Sequence, residues 1–461
     1  MIGPMSQQKN SAPPLVSVSE TLMKILARPI TQADRNQAAL HLLDWLGCAL
    51  AGYETETGKL ISIGAGSTSH PFGGVGSGRP DAILAMGGLG SILEMDDVHR
   101  TALLHPGPVI MPVVLGSNRD QLTPERILGA IIKGYEAMIR FGAAVGKGHY
   151  EFFHNTATCG GLGAAVAASH LLGLSQQQTT SAIGHATSLA GGLWQCRHEP
   201  VATKHLHVAE TARRGFQAAR FAQAGLAGPR FVLEGPQGYF TAIAKGGSAA
   251  SVTEDTNRPW QINDTSFKPW PACRHTHPSI DAALILRQQL CGGVPKRVEI
   301  RTFGDAIIFC DKPNPQTTAE AMFSLQHAVA VALLDGPPKL EAFEPSEHTT
   351  YSELRQLIHI TEGEGFSNAY PAHFGAEILI ELADGELIKA DVLDAWADSE
   401  NPMSEEAVIA KFRTMSTWAK IPADAQNKLL NATLGLAKKG SAQALICAMR
   451  LIETNAPTRN S

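Results

Sequence analysis

The stretch Gln32-Ala33-Asp34-Arg35-Asn36-Gln37-Ala38-Ala39-Leu40-His41-Leu42-Leu43-Asp44-Trp45-Leu46-Gly47-Cys48-Ala49-Leu50-Ala51-Gly52-Tyr53 decides the fold class. Ala39, Leu42, Leu43, Leu46 and Leu50 recur at three- and four-residue steps, the period of one helix face. Pro124 to Val145 repeats the pattern with Ile127, Ile131, Tyr135 and Ile139. Both stripes need partner helices to cover them. From about Ser17 to Leu226 nearly every segment has helical period or composition, and no strong strand alternation interrupts it. The Ala- and Gly-rich run from Asn155 to Cys196 is broken by Gln176 to Thr180 and by repeated Ser and Gly. It reads as buried helices and not as a membrane span. Gly228-Pro229-Arg230 and Gly235-Pro236-Gln237-Gly238 mark the approach to a boundary.

After Lys268 the texture changes. Arg297 to Thr302 alternates, with Val298, Ile300 and Thr302 on one face and Arg297, Glu299 and Arg301 on the other, which predicts a half-exposed strand. Ala376 to Leu382 and Glu386 to Val392 flank Ala383-Asp384-Gly385, a strong hairpin signal. Thr318 to Leu334 reads as one helix between them. Ser404-Glu405-Glu406, after Pro402, starts another helix, with acidic residues in its first turn, and two further helical stretches run to about Glu453. The expected fold is therefore mainly α: an all-helical domain over 17–266 and 398–455, and a smaller α+β domain over 267–397. Residues 1–16 read as a flexible tail without the basic start and apolar core of a signal peptide. The run Gly73-Gly74-Val75-Gly76-Ser77-Gly78 lacks a leading strand and a following Walker lysine, so it reads as a loop and not a phosphate cradle.

A chain of 461 residues exceeds the size at which single cores stop growing, which agrees with two domains. Only 18% of residues are charged, a balance expected where helices pack closely against one another or against a second subunit. The net charge of -5 and pI near 6.4 leave no electrostatic footprint for nucleic acid or an anionic membrane, so a small-molecule partner is expected. Seven cysteines, scattered and odd in number, argue for a reducing compartment and predict a cytoplasmic protein.

The chemistry is concentrated in Glu94-Met95-Asp96-Asp97-Val98-His99-Arg100-Thr101-Ala102-Leu103-Leu104-His105-Pro106-Gly107. Three carboxylates and two imidazoles there fit removal of a proton beside a carboxylate, which needs a base and cationic donors for the developing charge. Asp96, Asp97, His99 and Arg100 equally fit a solvated loop. His105 stands apart because Pro106-Gly107-Pro108 fixes the backbone after it. No CxxC or HExxH occurs, so no metal site is expected. His154 precedes Asn155-Thr156-Ala157-Thr158, whose side chains can cap the coming helix, and a helix entrance favours anions. Lys204 and His207 lie three apart near the start of the amphipathic stretch 204–225 and can address one anion together. Lys268-Pro269-Trp270-Pro271-Ala272-Cys273-Arg274-His275-Thr276-His277-Pro278 lies at the domain junction, where ligand clefts form. Cys273 has no evident paired base in this run, so it reads as pocket lining rather than as a nucleophile.

These segments together resemble the MmgE/PrpD family, which includes 2-methylcitrate dehydratase, cis-aconitate decarboxylase and iminodisuccinate epimerase. The resemblance rests on E-x-D-D-x-H and H-P-G within 94–107, F-H-x-T-x-T-x-G at 153–160, T-K-x-L-H at 203–207, the Lys268 to Pro278 run, and Ala319 to Ser324 leading to Ala332-Leu333-Leu334-Asp335-Gly336. It implies a helical domain with a smaller α+β lid, a homodimer, and no metal or organic cofactor. Decarboxylase members use a pocket whose matching positions here are Glu94, His105, His154, Lys204, Lys268 and Cys273. Glu94 stands where the animal decarboxylase has aspartate, Cys273 where it has histidine, Val98 replaces a threonine, and Phe309 replaces a tyrosine. The expected reaction is cofactor-independent lyase chemistry on a small di- or tricarboxylic acid, dehydration first, with decarboxylation, epimerisation or mere carboxylate binding as alternatives. His105, His154, Lys204 and Lys268 are the expected catalytic residues. Glu94, Asp97, His99, His207, Cys273, Arg274 and His277 are expected to bind substrate.

Overall fold

The computed structural model describes residues 16–67, 70–199, 201–290 and 292–455. Apart from Val16, the expected N-terminal tail lies outside them. The chain is mainly α with one small sheet. The helix Gln32–Glu54 opens on a reciprocal cap, with Asp34 N–H bonded to the Thr31 hydroxyl and the Thr31 N–H to the Asp34 carboxylate at 2.8 Å. The sequence predicts one apolar stripe here. Instead, every residue from Ala38 to Gly52 except Leu40 is buried. Helices Pro124–Ala144, Glu405–Trp418 and Ala423–Gly435 surround it. His41 and Asp44 tolerate burial because each meets a buried partner, Asp97 and Lys411 respectively.

Asn155–Leu172 is buried along almost its whole length between Pro124–Ala144 and Thr203–Gln223. Small residues set that spacing: a Cβ on Gly215 would lie 2.3 Å from the Ala164 Cβ, and one on Gly163 2.5 Å from the Met138 Cβ. The last three helices, Glu405–Trp418, Ala423–Gly435 and Ala442–Asn455, return to this helical body. No helix of the described residues is long and apolar enough to cross a membrane.

The sheet has the order β2-β1-β3-β4, with β1 Pro295–Thr302, β2 Ile358–Glu362, β3 Ala376–Leu382 and β4 Leu387–Val392. Val298, Ile300 and Thr302 face the core as their alternation predicts. The β3–β4 turn closes at Gly385, whose φ of 90° is the left-handed region that glycine adopts freely. β2 has no strong signature of its own, and its parallel pairing to β1 supplies what its sequence lacks. Helices His277–Gln289 and Leu325–Leu334 pack in a second hydrophobic core with the sheet. Thr318 to Leu334, expected as one helix, is two: Thr318–Met322 and Leu325–Leu334. Ser324 breaks it by capping the second helix through His327 N–H and donating its hydroxyl to Lys312 O at 2.6 Å.

Burial pushes His70, His99, His170, His205 and His327 down to about 4 from an ordinary 6.5. Between those values the unfolded chain binds protons that the folded chain refuses, so stability falls with pH. The slope is at most about 1.4 kcal/mol per pH unit for each histidine. Calorimetric melting temperatures should therefore drop steadily from pH 6.5 to pH 4. A flat profile over that window would show that these imidazoles are not held neutral.

Candidate active site

The loop 94–106 lies between helices Pro80–Gly87 and Gly107–Gly116. Glu94 and Leu103 both have φ of 51°, a left-handed conformation that costs a side-chain-bearing residue about 1–3 kcal/mol and persists only where contacts dictate it. The solvated-loop reading does not hold, because Glu94, Asp96, Asp97, His99 and Arg100 are all buried. Each therefore needs a partner.

Glu94 and Asp96, two residues apart, share a set of cations. Glu94 is ion-paired with Lys204, and the Lys268 ammonium lies 3.4 Å from its other oxygen. Lys268 is fully buried and also sits 3.1 Å from Asp96 Oδ1. Asp96 Oδ2 is 2.9 Å from His105 Nδ1, which is 3.0 Å from the Asp97 carbonyl oxygen. The result is a chain of charges that alternate along Lys204, Glu94, Lys268 and Asp96 and end on the His105 imidazole. Burial alone would raise both carboxyls, but Lys204 and Lys268 hold Glu94, and His105 and Lys268 hold Asp96, well below the usual range. The same carboxylates push Lys268 up against its own burial. Asp96 was not among the expected site residues. Its signal was the i, i+2 spacing from Glu94, which in non-helical backbone places two side chains on one side.

Asp97 points elsewhere. It meets His41 Nδ1 at 2.7 Å, Tyr135 Oη at 2.6 Å and the Gly107 N–H at 2.8 Å. A Cβ at Gly107 would come within 2.7 Å of the Asp97 carboxylate, so glycine is required there. Behind the loop, Lys411 donates to Met95 O at 2.6 Å while pairing with Asp44 at 2.6 Å. These contacts brace the loop on either side of the Glu94–Asp96 pair. They make Asp97 a positioning residue, not one free for a ligand.

His154 immediately precedes the helix Asn155–Leu172, and its side chain makes no capping bond. Nor do its neighbours cap as expected. Asn155 Nδ2 donates to Ala102 O at 3.0 Å, and the Thr156 hydroxyl accepts from the His105 N–H at 3.1 Å, so this first turn holds the 94–106 loop. The His154 ring lies 4.4 Å from Trp194 and 5.7 Å from His207, and its buried Nδ1 has no partner among the described residues. Burial first, then Lys204, keeps it well below the usual imidazole range and therefore neutral. His207 does not join Lys204. It lines a groove of about 590 Å³ with Gly191, Gly192, Leu193 and Leu206, while Lys204 turns to Glu94 and lies 5.1 Å over the Phe323 ring.

Arg274 and His277 are also committed elsewhere. Arg274 pairs with the fully buried Asp398 and donates to Trp396 O at 3.2 Å; His277 bonds Arg274 at 3.0 Å and Ala272 O at 3.1 Å. Arg100 reaches the same Asp398 at 3.3 Å. A carboxylate with no exposure takes both guanidiniums, which removes them from the Lys204–His105 cluster. His99 braces its own turn, with Nδ1 3.3 Å from the Ala102 N–H and Nε2 3.7 Å from Asp264. Cys273 does have a paired base, contrary to expectation: its sulfur is 3.2 Å from His275 Nδ1. Val98 pairs its backbone with Ser266, and Phe309 stacks on His275 at 5.2 Å. One group among the described residues, His373, Asp394 and Glu400, has metal-compatible spacing, but Arg100 already bonds both of its carboxylates.

The model described as the MmgE/PrpD N-terminal domain matches residues 18–251, and the MmgE/PrpD C-terminal domain matches 270–435. The chain is 27% identical over 406 residues to a cis-aconitate decarboxylase of Homo sapiens, covering 82% of this chain and 83% of that protein. It is 24% identical over 462 residues to a cis-aconitate decarboxylase-like protein of Aspergillus oryzae, covering 90% and 92%. To a mitochondrial 2-methylcitrate dehydratase of Yarrowia lipolytica it is 23% identical over 388 residues, covering 76% and 74%.

Removing the central cation should expose the cost of the cluster. Lys268→Met leaves two buried carboxylates short of an ammonium and should lower stability by roughly 3–5 kcal/mol in urea unfolding. Adding Glu94→Gln should recover part of that loss. An unchanged urea midpoint for Lys268→Met would mean that the two carboxylates do not depend on it.

Proposed function

The chain belongs to the MmgE/PrpD family, and on that premise we propose that it is a carbon–oxygen lyase acting on a small di- or tricarboxylic acid. It removes a proton next to a carboxylate with its own side chains. The observation that carries this reading is the run of alternating charge from Lys204 through Glu94 and Lys268 to Asp96, with the His105 imidazole at its end. One ammonium, Lys204, offers a place for a substrate carboxylate, the buried Lys268 adds positive charge behind it, and a carboxylate-backed imidazole stands beside them. Lys204, 17% exposed, is the partner that an incoming carboxylate takes from Glu94, whereas the fully buried Lys268 stays shared with Asp96.

His105 Nε2 has no partner among the described residues and takes the proton. Asp96 stabilises the imidazolium so formed and fixes the ring orientation. The electron pair left on carbon spreads into the neighbouring carboxylate, where the lysines hold the added charge. Expulsion of the neighbouring hydroxyl as water completes a dehydration. Each acid or base supplies about 100- to 10,000-fold, roughly 3–5 kcal/mol of barrier, so the preorganised charges must provide much of the rest. Decarboxylation is the second reading, favoured by the names of the human and Aspergillus oryzae relatives. Loss of carbon dioxide leaves the same kind of carbanion, which then takes a proton.

We keep 267–397 as a lid on the body formed by 17–266 and 398–455. Two hydrophobic cores support this, the second built on the sheet and on helices His277–Gln289 and Leu325–Leu334 and reaching Cys48, Ala51, Leu93 and Met95 of the body beside the cluster. A homodimer is supported by the apolar surface of Phe152, Leu189, Leu193, Val201 and Leu206, all about half exposed or more, around the groove beside His207. A reducing, cytoplasmic setting is supported by Cys48, Cys159, Cys196, Cys273, Cys310 and Cys447, none of which forms a disulfide.

The direct test is proton NMR in deuterated water with 2-methylcitrate, citrate, cis-aconitate, tartrate and iminodisuccinate, following products and exchange beside the carboxylate. The expected result is product from one of these acids, with turnover lost by at least 100-fold in His105→Ala and about 10- to 100-fold in Asp96→Asn. A folded protein that binds such an acid but gives neither product nor exchange is a carboxylate-binding protein and not a lyase. For the assembly, light scattering should give twice 49.0 kDa and a shift toward one copy in Leu193→Lys. A wild-type mass of one copy at micromolar concentration rules the dimer out.

A further inference from the structure

His275 breaks a rule that the other buried histidines of its domain obey. His327 places Nε2 on Ala342 O at 2.8 Å and Nδ1 on Arg355 at 3.0 Å, and His348 bonds two carbonyls. His277 likewise uses both nitrogens. His275 is only 6% exposed, yet its Nε2 has no partner among the described residues, and Nδ1 meets only the Cys273 sulfur. Its ring is boxed by Phe303, Phe309, Phe374 and Tyr370 at centroid distances of 5.5, 5.2, 5.3 and 6.2 Å. An unsatisfied buried nitrogen costs about 1–3 kcal/mol, so a packing role alone does not explain an imidazole here.

Cys273 also lies close to the charged cluster along the chain and through Met322. Its N–H donates to Met322 O at 2.8 Å, and the next residue, Phe323, is the ring beneath the Lys204 ammonium. Lys268 lies five residues earlier on a segment stiffened by Pro269 and Pro271, close enough for Cys273 to affect its charge state. Cys273 therefore lies on the segment that carries Lys268 into the charged cluster, with Phe323 beside Met322 reaching the Lys204 ammonium.

We propose that Cys273 is a second catalytic acid/base of this site and that His275 is the positioning residue that tunes it. The proposal rests on the lyase reading above. In the forward step the C–H bond breaks, its electron pair stays on carbon, and His105 Nε2 takes the proton. The S–H bond of Cys273 breaks as its proton passes to the departing hydroxyl, which leaves as water. The thiolate left behind accepts a hydrogen bond from His275 Nδ1–H and regains its proton from solvent after release. In a decarboxylation the same S–H proton goes to the carbanion. Burial raises the Cys273 thiol while Cys310 and His275 lower it, so it gives up its proton more readily than an ordinary thiol does. Besides those two, the titratable groups close enough to influence it are Glu94, Lys268, Tyr150 and Tyr370.

Two measurements on the full chain test this. Thiolate absorbance at 240 nm, taken as wild type minus Cys273→Ser over pH 5–10, should titrate below the ordinary thiol value of about 8.5. Against the same reference, His275→Phe, which keeps the aromatic box filled, should move that midpoint up by one pH unit or more. With whichever acid wild type converts in the NMR panel, Cys273→Ala should lose about 100-fold in kcat with KM changed less than threefold, and Cys273→Ser should retain an intermediate rate. His275→Phe should lose at least tenfold and shift the pH profile. If wild type turns over and folded Cys273→Ala matches it, the thiol role falls while the lyase reading stands. If the midpoint ignores His275→Phe, the pairing falls. If wild type gives neither product nor exchange, the lyase reading falls and takes the catalytic role with it.

Discussion

Three carboxylates of one short loop, Glu94, Asp96 and Asp97, are buried together, and the architecture around them is organised by that constraint. Desolvating a carboxylate costs several kcal/mol unless a cation or strong donors compensate. The compensating groups come from all over the chain: His41 from one helix, Tyr135 from another, Lys204 from a third, and Lys268 from the start of the smaller domain. A fold that failed to bring these together would leave charges stranded in its interior. Stability and chemistry therefore depend on the same contacts.

The loop has two faces with different duties. Asp97 turns into the helical body, where His41, Tyr135 and the Gly107 N–H saturate it. Glu94 and Asp96 turn toward Lys204 and Lys268, which compensate their charge. Lys411 holds Met95, the residue between them, so the two acids keep their spacing. The left-handed backbone at Glu94 is explained in the same way, since fixed partners on both sides leave it no relaxed alternative.

Another buried carboxylate, Asp398, ties the segment after Lys268 to that loop. It takes Arg274 from the proline-stiffened segment and Arg100 from the loop itself, and it accepts a bond from Ser266 at 2.7 Å. Phe267, stacked on His41 at 4.3 Å, packs with Ala397 and Val408 at the same place. The chain just before Lys268 and the chain at 397–398 are therefore anchored beside the charged cluster.

Periodicity was enough to reveal the helical body, the alternating strand at 297–302 and the hairpin at Ala383-Asp384-Gly385, because those patterns depend on near neighbours in sequence. The residue types of the candidate site were legible too: His105, Lys204, Lys268 and Glu94 stand out by kind and setting. Their division of labour was not legible. Arg274 and His277 look like anion binders beside Lys268 until Asp398, more than a hundred residues away, is seen to occupy them. Asp96 and Asp97 are adjacent and alike, yet one backs His105 and the other props the loop. Cys273 looks unpaired until the turn at 274–276 brings the His275 ring back to its sulfur. Sequence by itself determined which elements form and which charged groups must be compensated. Only the tertiary structure decided which charge meets which, because the partner of a buried ion is chosen by distance in space, and chain order carries no record of it.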